Sequence, residues 1–321
     1  DRGYNTMIGF VTGIKRIQVT YRENDGIYLP GYTHGIGFMG TLKPTTGFTF
    51  GLQRDVRELA ARKGWLTLYQ EFNQQYTAVT SKQLDLQASL SFIPDLTIDL
   101  TAGRLYAKTY SENYRVNPRS FQYESLSPYN FGNFNISTIL IGSAFDKNNQ
   151  EFSATFEEFR ENRLEVARRL AAENGLDPGE VDEEGYPVGY GKSSQAVLLP
   201  AFLAAYGGSD ASSVKLGAFR DIPLPNWDIK YTGFMRMDWF QKNFRRFSLS
   251  HGYRAGYTIN QFQTNLDYNP LDPFEFNQAN NYKNPLLFAN INLTEMFSPL
   301  LRIDLETTNA IRVLAEIQKD R

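Results

Sequence analysis

The chain has 321 residues, 41% of them hydrophobic, which is enough for one large or two ordinary domains and excludes a disordered chain. Its 33 basic and 35 acidic side chains leave a formal charge of -2, so no charge excess points to nucleic acid or to an anionic membrane surface. With no cysteine there is no disulfide framework, no zinc–thiolate site and no thiol nucleophile.

Aromatic residues reach 14% although the mean hydropathy is only -0.42. A chain that is polar on average yet places aromatics in alternating stretches has the composition of a transmembrane β-barrel. No apolar run approaches the roughly 20 residues of a membrane helix. The chain opens on DRGYNTMIGF, without a basic region followed by an apolar one, and closes on QKDR directly after an alternating run. Both ends read as cut from a longer polypeptide.

Taken in chain order, QRDVRELAARKG (53–64) predicts a short helix ending at Gly64. LDLQASLSF (84–92) sets Leu84, Leu86, Ala88, Leu90 and Phe92 against Asp85, Gln87, Ser89 and Ser91, the period of a strand. After the turn Ile93-Pro94-Asp95 a second run sets Leu96, Ile98, Leu100 and Ala102 against Thr97, Asp99 and Thr101, completing a hairpin. SPYNFG (127–132) is the natural turn between a strand near 119–127 and another near 133–145. From 146 to 226 the period becomes helical. TFEEFRENRLEVARRLAAENG begins with a capping box from Thr155 to Glu158 and stops at Gly175, and SQAVLLPAFLAAYGG (194–208) is a second apolar segment expected to pack on it.

Residues 227–237 alternate again and turn through DWFQKNFRR into FSLSHGYRAGYTI, where odd positions from Phe247 to Ile259 are apolar and even ones small or polar. A last hairpin is expected to join 286–293, through a turn at 294–300 (EMFSP), to the run Leu301–Ile317. The turns at 93–95, 238–246 and 294–300 then share one end, and the helical insertion belongs to the opposite, outer side.

Charge cost assigns the two faces. A basic side chain on the lipid face near the midplane costs roughly 2 to 4 kcal/mol, and five charges there would rival a domain's whole stability of about 5 to 15 kcal/mol. The lumen-facing candidates are therefore Arg254, Arg302, Asp304, Glu306, Arg312 and Glu316. The lipid-facing candidates are Phe247, Leu249, Tyr253, Tyr257, Ile259, Leu301, Ile303, Leu305, Ile311 and Val313. Thirteen residues from 247 to 259 span about 41 Å, or about 29 Å along the normal at a tilt near 45°, enough for an apolar band of about 25 Å. The expected fold is all-β with helical insertions: barrel strands over 1–145 and 227–321, and a helical insertion over 146–226.

No catalytic, metal or cofactor constellation appears. GYGKSS (189–194) lacks the first glycine of a phosphate loop, because position 186 is tyrosine, and no strand precedes it. The acidic run Asp177, Glu180, Asp182, Glu183, Glu184 lacks calcium-loop spacing. Of two histidines, His251 sits on an otherwise apolar strand face, facing either lipid or protein.

Five long strings resemble the SprA/Sov family, the outer-membrane translocons of the type IX secretion system of Bacteroidota. They are GFTFGLQRDVRELAARKGWLT (47–67), LYQEFNQQYT (68–77), SSQAVLLPAFLAAYGG (193–208), PLPNWDIKYTG (223–233) and SLSHGYRAGYTINQFQTNLDY (248–268). The resemblance implies a segment of a very large transmembrane antiparallel β-barrel of roughly 36 strands, of which this chain would supply about ten. It also implies export of folded cargo proteins bearing a C-terminal sorting domain. The implied partners are the remainder of the same barrel, a PorV-type partner barrel, a periplasmic plug protein and the lipid bilayer, with no nucleic acid and no enzymatic role. Two other classes share part of the pattern: a ligand-gated nutrient-uptake barrel, and a soluble β-rich adhesin, whose long strands would need a covering layer.

Overall fold

The computed structural model describes residues 13–35, 45, 47, 55–145, 152–177 and 179–321. The opening decapeptide, the first two residues of the helix expected at 53–64, and the expected start of the insertion at 146 lie outside them. Eight strands form one antiparallel sheet: β1 (Ile14–Tyr28), β2 (Tyr76–Leu90), β3 (Leu96–Val116), β4 (Tyr123–Ser137), β5 (Asn226–Tyr231), β6 (Phe244–Thr264), β7 (Leu286–Thr307) and β8 (Arg312–Asp320). Among the described residues four helices accompany it: α1 (Arg57–Arg62), α2 (Ala154–Glu173), α3 (Gln195–Gly207) and α4 (Asp238–Asn243). No helix among the described residues is long and apolar enough to cross a membrane.

The sheet runs β1-β2-β3-β4-β6-β7-β8, with β5 pairing β3 and β6 below β4. β4 and β5 are two pieces of one strand. Ile136 lies opposite Arg104 and Asn226 opposite Thr101 on β3; Ser137 lies opposite Gly256 and Trp227 opposite Tyr253 on β6. Both neighbours thus agree that a single register position separates Ser137 from Asn226, although 88 residues intervene in the chain.

Side chains close this seam where backbone pairing fails. The Asn226 side-chain oxygen accepts from the Ala255 amide at 2.8 Å, and Ser137 Oγ accepts from the Gly103 amide at 3.0 Å while donating to the Leu224 carbonyl at 2.7 Å. Every buried backbone donor needs such a partner, which is why small polar residues flank the break.

The structure corrects two expected turns. SPYNFG is not a turn: β4 runs straight through it with a bulge, Leu126 and Tyr129 facing Asn113 and Ser111, and Ser127 in the left-handed region at φ 50°. The parity that called for a turn there is met instead by the interrupted strand, which descends as β4 and then β5. EMFSP is not a turn either. β7 passes through it, carrying two more residues than either neighbour: Ser250 and Arg254 pair with Arg302 and Met296, while Ile317 and Lys319 pair with Leu301 and Phe297. The hairpin turn lies later, where the Thr307 amide donates to the Ile311 carbonyl and Ala310 has φ 63°, so the run 301–317 is two strands.

The hairpins at 91–95 and between β5 and β6 form as the alternation requires. α2 and α3 pack together through Val166, Ala167, Ala171, Val197, Ala201 and Ala204, as the apolar stripe of α2 and the almost wholly apolar composition of α3 imply. The cap of α2 is Ser153, whose Oγ accepts from the Phe156 amide, two residues before the expected capping-box threonine; Thr155 is buried inside the first turn. α3 contains Pro200 and ends at Gly208 with φ 64°.

Candidate functional site

Partners in register share a face, so the pairing sorts the side chains of the whole sheet. One face is polar. On β6 it carries Ser248, Ser250, Gly252, Arg254, Gly256 and Thr258, and on β7 Arg302, Asp304 and Glu306. β8 adds Arg312 and Glu316, opposite Glu306 and Arg302. All six lumen-facing candidates therefore lie on this one face.

Each is matched by an opposite charge on a neighbouring strand. Arg254 meets Asp228 at 3.1 Å, Arg302 meets Glu316 at 3.7 Å, Arg246 meets Asp304 at 2.9 Å and Arg312 meets Glu306 at 3.1 Å. Exposed pairs of this kind contribute only about 0.2–1 kcal/mol each. Their consequence is electrostatic: the face carries many charges but little net field. Gly252 is required for space, because a Cβ there would come 2.7 Å from the Ser298 carbonyl oxygen raised by the β7 excursion.

The opposite face has two parts. Toward the hairpin end it is apolar and open: Ile17 and Val19 on β1, Leu84–Leu90 on β2, Leu96–Leu100 on β3, Ile229 on β5, and Phe247 and Leu249 on β6. Leu301, Ile303 and Leu305 of β7 and Val313 of β8 continue it. At its lower margin Phe234, Trp239, Phe240, Phe244 and Phe247 form one aromatic cluster around α4. Ile311 lies in the β7–β8 turn, 60% exposed.

The upper part of the same face is covered by protein. Tyr253, Tyr257 and Ile259 are 0–1% exposed. Phe134, Ile136, Tyr257, Ile259 and Phe262 form a core with Leu199 of α3, and Phe219 packs against it. The Tyr253 hydroxyl donates to Glu295 at 2.8 Å and accepts from the Leu140 amide at 2.7 Å. These three side chains, expected to face lipid, face the insertion instead, because its apolar helices supply the same burial that lipid would. The open stripe is correspondingly shorter than the 13 residues from 247 to 259: six steps from Leu96 to Ala102 rise only about 20 Å. His251 also faces protein. Its Nδ1 lies 2.7 Å from the Leu300 carbonyl, which can only accept, so this nitrogen carries the proton.

Above the apolar band α1 sits on β2–β4 through Glu112, a carboxylate with no solvent exposure. Glu112 accepts from Arg57, from Tyr110 at 2.6 Å, from Tyr123 at 2.7 Å and from Ser125. Arg57 also lies over the Tyr76 ring at 4.5 Å and, by its hydrogen bond, holds the Asp55 carboxyl below its ordinary value. Sequence reading missed this knot, although Tyr110, Glu112 and Tyr114 fall on one face by simple alternation. Replacing Glu112 by Leu should strand three hydroxyls and leave Arg57 with Asp55 as its one carboxylate, at a cost of about 3 kcal/mol. Trypsin cleavage after Arg62 or Lys63 should then accelerate at least tenfold; an unchanged rate would mean that α1 is held by its apolar contacts alone.

The GYGKSS segment is structural. Gly189, at φ 84°, lies under the Tyr282 ring, and the Tyr282 amide donates to its carbonyl at 2.8 Å. Asn281 accepts from the Gly191 amide and donates to Ser193 Oγ, so the segment ties the insertion to the loop between β6 and β7. Among the described residues no cluster of histidine, aspartate and glutamate could hold a metal ion. No protein-family model matches the chain, and a search of the curated proteins finds no match.

Proposed function

We propose that this chain is a segment of the wall of a very large outer-membrane β-barrel that conducts folded proteins outward, of the translocon kind its sequence resembles. The observation that carries the reading is the division of one sheet into an open apolar band and an ion-paired polar face. A wall between lipid and water asks for both at once. The aromatic cluster around Trp239 edges the open band as aromatic girdles edge the interfaces of such barrels, while its about 20 Å of strand, about 14 Å along the normal at a tilt near 45°, is shorter than their apolar band of about 25 Å. The strand path from β1 to β8 does not close among the described residues, and the strands that complete the barrel would pair these two edges.

A face of small and mutually neutralised side chains gives a passenger neither an apolar surface to adhere to nor a field of one sign to hold it. No side chain is asked to perform chemistry, and selection falls to width, gating and partner proteins. The partner barrel, the plug and the C-terminal sorting signal of the cargo follow from the resemblance and are part of the proposal.

Single cysteines in the full-length protein in cells test the orientation. Cysteines at Arg302, Asp304, Glu306 and Arg312 should react with a membrane-impermeant thiol reagent, and those at Leu301, Ile303, Leu305 and Val313 should not. Labelling of the second set in place of the first would reverse the faces, and equal labelling of both would remove the membrane from the reading.

A further inference from the structure

Directly above the open apolar band, on the same face of β2 and β3, three cations stand together. Lys82 lies opposite Tyr106, so Arg104 and Lys108 are its diagonal neighbours, about 7–8 Å away. The side chains next below them are Leu84, beside Arg104, and then Leu86 and Ala102. Protein bounds the group on two other sides: Phe219 of the insertion packs edge-on to Tyr106 at 5.3 Å, and Tyr110 above donates to Glu112.

Few carboxylates answer these charges. Lys82 is paired with Glu23 at 2.8 Å, and Glu23 also accepts from the Tyr21 hydroxyl at 2.8 Å. Asp25 faces Thr80, two strands from Lys108, and Asp221 is taken by Lys215. Arg104 donates through Nε to the Arg220 carbonyl at 2.8 Å. Its terminal nitrogens and the Lys108 ammonium have no acceptor among the described residues, and none of these nitrogens is shielded from solvent. On the polar face, by contrast, each candidate charge meets an opposite one.

On the lipid side of a barrel a cation is costly at the midplane and nearly free at the level of the headgroups. Tyr21, exposed on the same face beside Leu84, supplies the amphipathic ring typical of that level. We propose that Arg104, Lys108 and Lys82 bind the phosphate of an anionic lipid in the leaflet on the insertion's side, its acyl chains lying along Leu84, Leu86 and Leu100. Guanidinium and ammonium donors suit a phosphate. A lipid, unlike a free anion, also covers the apolar side chains beneath the cations. The proposal rests on the membrane reading of this face.

The test is native mass spectrometry of the purified full-length protein in a non-ionic detergent, titrated with phosphatidylglycerol, with diacylglycerol of the same chains, and with glycerol phosphate. Phosphatidylglycerol should bind saturably and at least tenfold more tightly than diacylglycerol, and equimolar glycerol phosphate should not displace it. Arg104→Gln combined with Lys108→Gln should weaken phosphatidylglycerol at least tenfold, since each cation near an anionic surface is worth about fivefold, and should leave diacylglycerol unchanged. Should that double variant fail to assemble, Lys108→Gln alone decides, because it removes no hydrogen bond; it should weaken phosphatidylglycerol at least threefold. Equal binding of the two lipids, or unchanged affinity in the variants, overturns the proposal and leaves the membrane reading standing. Displacement by equimolar glycerol phosphate would make this a free-anion site and overturns it as well. Binding of neither lipid overturns the proposal together with the membrane reading of this face.

Discussion

Excising residues 138–225 and joining Ser137 to Asn226 through one residue should give a continuous β4–β5 strand that nevertheless assembles poorly. One residue is the right link because both β3 and β6 leave one register position between the two pieces. What the excision uncovers is the cost. Phe134, Ile136, Tyr257, Ile259 and Phe262, all at most 1% exposed, would lose their cover. At about 1.5–3 kcal/mol per large apolar side chain, their exposure forfeits on the order of 10 kcal/mol unless lipid takes the place of the insertion. Under the proposed reading, assembled barrel in the outer membrane should fall at least tenfold.

The sign of a rescue experiment makes this sharp. Phe134→Thr, Tyr257→Thr and Phe262→Thr together should restore assembly to the excised protein, where these positions meet water. They should destroy it in the intact protein, where they leave cavities and unfilled contacts costing about 3–5 kcal/mol per aromatic. If the excised barrel assembled normally without rescue, the upper stripe would be facing lipid after all, and the insertion would be an ornament on a taller band.

The second large effect is on the open stripe. Ile303→Arg puts a charge among Leu301, Leu305, Leu249 and Ala315, at a cost of about 2–4 kcal/mol if the position lies near the bilayer midplane. Barrel levels should drop several-fold, with secretion per assembled barrel unchanged. Arg254→Ala on the polar face should change neither barrel level nor secretion, since the pair it breaks is exposed and Asp228 is left in water. Secretion normalised to barrel in the outer membrane reads both. Export abolished by Arg254→Ala at normal barrel level would replace the passive conduit with specific cargo recognition at that side chain.

The period of two was legible wherever a strand met the same kind of surroundings along its length. The hairpin at 91–95 and the stripes of β2, β3 and β6 follow directly from it. The six polar-face candidates share a face because their charges admit no other solution. Alternation does not say what lies over an apolar stripe, and Tyr253 to Ile259 look the same in sequence whether covered by lipid or by α3. Turn chemistry misled at SPYNFG and EMFSP for a related reason. Serine, proline, asparagine and glycine mark a bulge within a long strand as readily as its end. The interrupted strand was beyond reach, since nothing local tells Ser137 and Asn226 that they are neighbours.

The excursion of β7 at Ser298–Leu300 adds two residues, an even number. Odd positions therefore stay on one face both above it, at Ile291 and Leu293, and below it, at Leu301 and Ile303. Evolution can lengthen or shorten this segment only in steps of two. A single-codon deletion at Ser298 would put residues 286–297 out of phase, turning Ile291, Leu293 and the buried Glu295 toward the polar face and emptying the core beneath the insertion. Deletion of Ser298 and Pro299 together would remove twice as much chain and leave every one of those side chains on its own side.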